Sequence, residues 1–524
     1  MRLAYVLNVA LSLLSLTALG AGCGDPDAPS TDEDLTSKTA RARSITFEGL
    51  LYLPANASDS EVQRAVDSQA RSAFGPMRTS SLSVATRELK AVRPEAITKR
   101  NVNVVAADGT KTPKTEVRFT YEDQALAGSR HDGASTAPLA LLAPGYQSQK
   151  ERILRECTPN DSHARDFGSS LWYVFEPSLP SCQTAMRAEQ ATIDAARARL
   201  EAPDTDVAEV ESSRLYLPIT AKLGPDETNK RKAWPEYKRL FSGGVAQDRV
   251  VVSIIQGLVA HGLSGSPADD YGYGEYMDLL SELFAVHPKL DVTKVEPAED
   301  LATYVLKSGK TVQNVRIHDI VRWYQTGRYP ETLTSAEHTE IRDLAAKRLY
   351  LHWLTLEVPL TVSIGGAAAR DMTIEVRGYF GVEQDAAPYR HAVKSSDVFL
   401  YSGHSYIGAG PLDPSRFKPA DFPSSYQLFF VNGCVSYNYY HGGFVTLKVG
   451  GTKNLDLISN GLETPAYNSG SSTGRLVARL LDGSNASYED LLVAARATDK
   501  LRVVDGELDN EFSPESDAIK LSPR

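Results

Sequence analysis

Soft metal ligands are scarce in this chain: it has four cysteines and ten histidines in 524 residues, and no two histidines stand in H-x-x-x-H or H-E-x-x-H spacing. A zinc site is therefore not expected, and neither is any other metal or cofactor. No G-x-G-x-x-G follows a strand-like run and the Walker pattern is missing, which removes two common phosphate cradles. A serine hydrolase is disfavoured because no G-x-S-x-G follows a strand. Basic clusters are missing as well, and with a formal net charge of −10 nucleic acid is not an expected partner. Past the first two dozen residues no stretch offers 18 or so uninterrupted apolar residues, so no later membrane span is expected.

What is present begins with Arg2, the apolar run "LAYVLNVALSLLSLTAL" and then "GAGCGD", the pattern of a secretory signal. The small residues directly before Cys23 resemble the lipobox of bacterial lipoproteins, with Gly20 where an aliphatic residue is usual. That resemblance implies a signal peptide over residues 1–22, acylation of Cys23, and a lipid anchor in the bacterial cell envelope, at the outer membrane or periplasmic face. Each buried methylene of an acyl chain contributes about 0.8 kcal/mol, so several chains would hold the protein on a membrane without a spanning helix. The polar segment that follows, "GDPDAPSTDEDLTSKTARAR", has no apolar periodicity, and residues 23–43 read as acylated cysteine and flexible tether. The remaining chain, about 480 residues, is too long for one core.

If Cys23 carries lipid, three thiols remain. Cys157 and Cys182 bracket a turn-rich stretch around Trp172, Tyr173 and Phe175. In an oxidising compartment they are expected to pair, which constrains the unfolded chain by roughly 3 kcal/mol. Cys434 is then the odd thiol.

Residues 44–146 alternate strand-like runs such as "SITFEGLLYLP" and "TEVRFTYEDQALA" with the helix pattern "DSEVQRAVDSQARSAF", a small α+β accessory module. It could be a propeptide, an inhibitory domain or a spacer. Residues 147–247 read as the disulfide loop and a helical connector, with a charged helix from about Thr184 to Leu200.

Residues 248–524 differ in kind. "DRVVVSIIQGL" is β-branched without alternation, as expected of a central parallel strand covered on both faces. A Gly- and Ser-rich loop, a helix carrying Tyr276, Leu279, Leu280 and Leu283, and the strand "KLDVTKVEP" suggest a βαβ unit. "MTIEVRGYFG", "DVFLYSGHS", "YQLFFVNGC" and "LDLISNGLETP" continue the sheet, and "SSTGRLVARLLDG" predicts a helix capped by Ser472 or Thr473. The fold class expected is α/β, a mostly parallel sheet flanked by helices in the C-terminal half, with a smaller N-terminal α+β domain.

In such a sheet the carboxyl ends of the strands face the ligand crevice. Two successive runs finish there with a reactive residue, "DVFLYSG" with His404 and "YQLFFVNG" with Cys434. If those strands are neighbours, imidazole and thiol face each other over the sheet top, as a Cys-His pair requires. An ordinary thiol, pKa ~8.5, is mostly protonated at neutral pH, and a nearby imidazole makes thiolate available or protonates a leaving amine. Gly403, Ser405 and Gly433 flank the pair and are expected to place backbone N–H groups toward an oxyanion. His261, Asp269, Asp270 and His441 are further candidates for a substrate pocket. Each also has a structural reading: a histidine on an exposed loop for His441, the start of a helix for the aspartates, and for Cys434 itself a small buried hydrophobe.

"YSGHSYIG" and "FFVNGCVSY" resemble the histidine and cysteine segments of the clan CD cysteine peptidases, which include caspases, clostripain and gingipains. Ser405 stands where glycine usually follows the histidine. The resemblance spans roughly Asp248 to Asp482 and implies a caspase-like fold, with His404 as the catalytic histidine and Cys434 as the nucleophile. It implies an envelope-anchored endopeptidase that hydrolyses peptide or protein substrates through a thioester. The other function class in view is a noncatalytic surface lipoprotein whose caspase-like domain binds protein or polysaccharide.

Overall fold

The unalternating run that begins at Asp248 does lie in the middle of a sheet. In the computed structural model of the chain, which describes residues 36–85, 89–160, 164–165, 167–260, 262–381 and 386–524, it is one of five parallel strands. They are β1 (Arg249–Gln256), β2 (Arg370–Phe380), β3 (Val398–Ser402), β4 (Gln427–Asn432) and β5 (Leu455–Asn460). Their order across the sheet is 2-1-3-4-5, every neighbouring pair parallel. The C-terminal α/β expectation holds in this coarse form, but the sheet is mixed rather than mostly parallel. Antiparallel strands extend both edges: Arg502–Asp505 and then Thr36–Ser37 beyond β5, Trp353–Ile364 and its partners beyond β2. The stretch "KLDVTKVEP" is one of those edge strands, Asp291–Glu296, paired antiparallel with Trp353–Ile364 and not beside β1. Its local sequence makes a strand; the helices and hairpin inserted before β2 carry it to the far edge.

Both faces of the parallel block are apolar, and successive residues alternate between them. Val398 and Leu400 of β3, with Leu428 and Phe430 of β4, meet helices α1 (Tyr271–Val286) and α4 (Ser469–Leu481). Phe399 and Tyr401, with Phe429 and Val431, meet α2 (Ala387–Lys394) and α3 (Ser436–Leu447) on the other face. Each fully buried aliphatic or phenyl side chain contributes about 1.5–3 kcal/mol. Helix α4 starts at Ser469 after Asn468, so Ser472 and Thr473 lie inside it and do not cap it; Ser472 Oγ instead donates to Ala495 O at 2.6 Å.

The N-terminal half forms a second sheet of seven strands, in the order 136–142, 216–223, 40–54, 111–128, 97–105 and 206–208, with 82–84 also paired to 111–128. Helices Asp59–Arg71 and Phe74–Thr79 pack on it. Cys157 and Cys182 are bonded, and the charged helix runs Pro180–Arg197. The stretch read as a tether to residue 43 enters strands at Thr36–Ser37 and Ala40–Pro54; the expected signal peptide and Cys23 lie outside the described residues. The two sheets share one apolar cluster that runs from Ile45, Phe47 and Val117 to Phe429, Val431 and Leu457. Among the described residues no helix is long and apolar enough to cross a membrane.

Candidate active site

Register decides where the two reactive side chains emerge. Ser402 of β3 pairs with Asn432 of β4 on one side and with Gln256 of β1 on the other. His404 and Cys434 therefore each stand two residues past the last paired position of adjacent parallel strands, which lie about 4.8 Å apart. The strand order reverses between β1 and β3, and in open α/β sheets ligands bind outside the carboxyl ends at such a switch point. Two glycines make the close approach possible. A Cβ on Gly403 would fall 2.6 Å from Tyr401 Oη, and one on Gly433 would fall 2.6 Å from Ser405 Oγ and 3.1 Å from Gly403 O.

The chain leaves β4 through a tight turn into α3. Val435, a β-branched residue, takes φ 51° and ψ 33° there, a conformation such residues rarely adopt. Ser436 Oγ donates to Val431 O at 2.8 Å and accepts from Asn460 N at 2.8 Å, which clamps the turn to its own strand and to β5. Cys434 thus sits just before the N-terminus of a 12-residue helix, where the aligned peptide dipoles favour a thiolate. Other forces oppose that charge. Burial pushes the Cys434 thiol above its ordinary value and the Glu463 carboxylate adds to this, while Thr464 and Arg78 act the other way. The residue keeps part of its surface exposed, but its sulfur turns inward to Thr464, 3.6 Å from the carbonyl and 4.0 Å from the hydroxyl.

His404 leans the other way, toward β1. Its Nε2 lies 2.8 Å from Val259 O. A carbonyl only accepts, so Nε2 carries the proton and Nδ1 is the basic nitrogen. Val259 is itself fixed by Asp270, whose carboxylate accepts from the N–H groups of Val259 and Ala260 at 2.9 Å each and from Gly272 at 2.7 Å. Asp270 is thus the N-cap of α1 and a support of the histidine loop. Asp269 is exposed in the Pro267–Asp269 turn. His261 lies outside the described residues. His441 is not on a loop: it is buried inside α3, 2.9 Å from Asp505 Oδ2 and packed on Tyr437.

Ser405 is buried, and its Oγ has no hydrogen-bond partner among the described residues; the same is true of Tyr439 Oη. Enclosed hydroxyls without partners are uncommon in native proteins. Ser405 lies just past the tip of β3 against Gly433, and Tyr439 lies near the start of α3, close to Cys434. Sequence reasoning did not identify Val259, Arg78, Tyr173 or Glu463. Glu463 carried a signal, since "LDLISNGLETP" is the next strand end after the cysteine; Arg78 and Tyr173 carried none. A cavity of about 780 Å³, lined by Val105, Lys111, Ala195 and Leu200 on the N-terminal half, contains none of these groups. Among the described residues no three His, Cys, Asp or Glu side chains converge as metal ligands would. No protein-family model matches the chain, and neither a curated protein nor a solved structure matches it.

Proposed function

We propose that this chain is a cysteine endopeptidase of caspase-like type, exported and held in the bacterial envelope by a lipid on Cys23, acting on peptide or protein substrates. The observation that carries the reading is the register that sets His404 and Cys434 on the tips of the adjacent strands β3 and β4, with His404 beside the switch point of the sheet. Support comes from the strained turn at Val435, from the helix that begins behind the sulfur, and from the two enclosed hydroxyls without partners. In this reading the thiol gives its proton to Nδ1 of His404 and the sulfur bonds to the scissile carbonyl carbon. The backbone N–H groups of Cys434 and Ser405 receive the oxyanion. The C–N bond then breaks, and the leaving amine takes the proton from the imidazole. Water, deprotonated by His404, attacks the thioester, releases the acid and restores the thiol.

A second reading, a noncatalytic surface lipoprotein that binds protein or polysaccharide, is favoured by the enclosed thiol with its raised pKa. Peptidyl acyloxymethyl ketones separate the two. Under the peptidase reading, mass spectrometry finds an adduct on Cys434 after limited proteolysis of the protein, and the adduct is lost in His404→Ala. No adduct under any condition, or equal labelling of both proteins, would sink the peptidase reading.

A further inference from the structure

Two side chains from the N-terminal half meet Glu463 near the candidate nucleophile, close enough to act on its charge. Arg78, at the end of the helix Phe74–Thr79, is buried, and its Nη1 lies 2.8 Å from Glu463 Oε1. Its guanidinium stacks on Tyr173, 4.7 Å from the ring centre, and its Nη2 donates to Tyr173 O at 3.2 Å. Tyr173 Oη donates to the same Glu463 oxygen at 2.6 Å. Glu463 directly precedes Thr464, the residue in contact with the Cys434 sulfur. Helix 74–79 is seated by Gly75, where a Cβ would fall 2.4 Å from Phe175 O. Arg78 and Tyr173 therefore arrive as one packed unit.

We propose, on the footing of the peptidase reading, that Glu463 is the carboxylate that receives a basic side chain of the substrate, and that Arg78 fills that place in the intact chain. The substrate class is then a peptide with arginine or lysine next to the bond cut. Glu463 is next in the chain to Thr464, which touches the Cys434 sulfur, so a substrate side chain anchored on Glu463 brings its own residue toward that sulfur. The fit of Arg78 is incomplete: it shares one carboxylate oxygen with a tyrosine hydroxyl, and its Nε has no hydrogen-bond partner among the described residues. A guanidinium prefers the two-pronged pairing with both carboxylate oxygens, which a substrate arginine entering from solvent is free to make. The Glu463 side chain keeps 34% of its surface exposed, against 8% for Arg78. Glu463 is therefore reachable from outside while its present partner is not.

The test uses the full-length chain and two independent readings, alkylation of Cys434 by iodoacetamide and hydrolysis of fluorogenic peptides with Arg, Ala or Asp before the cut. Burial is the largest force that keeps this thiol protonated, so opening the cover outweighs the loss of the Arg78 charge. Arg78→Ala is expected to speed alkylation by about tenfold, because the uncovered sulfur is easier to ionise and to reach. The same variant is expected to cleave the arginine peptide about tenfold faster than the alanine peptide, and Glu463→Gln added to it should abolish that preference. Unchanged alkylation in a folded Arg78→Ala protein overturns the cover. Faster alkylation with no hydrolysis of any peptide supports the cover and overturns the peptidase reading. Equal cleavage of all three peptides overturns the role of Glu463 while the peptidase reading stands. Should Arg78→Ala fail to fold, Tyr173→Phe removes only the hydroxyl on Glu463. A smaller rise in alkylation supports the proposal in that variant, and none overturns it.

Discussion

Val435 holds a β-branched side chain in the left-handed region, where an L residue is less stable by about 1–2 kcal/mol. The conformation persists because its side chain is buried and its N–H donates to Leu462 O at 3.0 Å, so strand, turn and helix over-determine it. The usual ranking of small residues should therefore reverse. Val435→Gly is expected to be more stable than Val435→Ala by about 1 kcal/mol, since only glycine adopts this conformation without a Cβ clash. Urea denaturation of the two variants measures the difference, and an alanine variant of equal or greater stability would show that the turn relaxes. At this scale the reactive residues were legible: a histidine and a lone cysteine after two β-rich runs stand out in any reading. Their orientation was not, because which way each side chain leans depends on Val259 and Thr464, carbonyls supplied by the loops that follow other strands.

Among the elements, α1 and the disulfide loop hold the site from opposite sides. Asp270 caps α1 and ties down Val259 with the same carboxylate. Asp270→Ala, which loses the cap and leaves backbone donors unpaired, is expected to destabilise the protein by about 1–2 kcal/mol. Asp270→Asn, which keeps one acceptor, should fall between that variant and the wild type in chemical denaturation; an asparagine variant as unstable as alanine would show that the charge, not the acceptor, matters. Tyr173 belongs to the loop closed by Cys157 and Cys182, both fully buried. Replacing both cysteines by alanine is expected to remove about 3 kcal/mol of stability. The same variant should also quicken alkylation of Cys434, because the loop that presents Tyr173 is loosened. A rate equal to that of the wild type would show that the helix carrying Arg78 seats Tyr173 without the crosslink. Pairing of these cysteines followed from arithmetic and compartment, but the use of their loop as a cover did not, since it depends on a contact between residues nearly 300 positions apart.

For the molecule as a whole, one apolar cluster spans both sheets, so calorimetry is expected to show the two halves unfolding in a single transition. Two resolved transitions would mean that the halves are energetically separate. Its buried acids set a pH dependence. Asp456 accepts from Tyr426, Tyr488 and Asn510, and burial raises its pKa to about 7; Glu507 accepts the N–H of Thr36 and is raised to about 8. Both acids hold protons more tightly folded than unfolded. Their contribution is fully present below the unfolded carboxylate range near pH 4, and it is lost as pH rises through about 7 to 8. Asp456→Asn is expected to flatten the fall in stability between pH 5 and 8, measured by urea denaturation at both values. A variant whose stability falls as steeply as the wild type's would remove Asp456 from this account.

The residues by themselves determined the parallel block and the two strand tips. Apolar runs without alternation, turn glycines and residue scarcity are local properties, and a strand covered on both faces needs them whatever surrounds it. They did not determine the antiparallel edges, the place of Asp291–Glu296 at the rim, or the burial of His441 within α3. A strand's partner is chosen by long-range pairing, and many registers bury similar area. Tertiary structure alone decided that Arg78, Tyr173 and Glu463 meet beside the sulfur. An ion pair between two distant segments leaves no periodicity in either one, and forms only where packing brings the segments together.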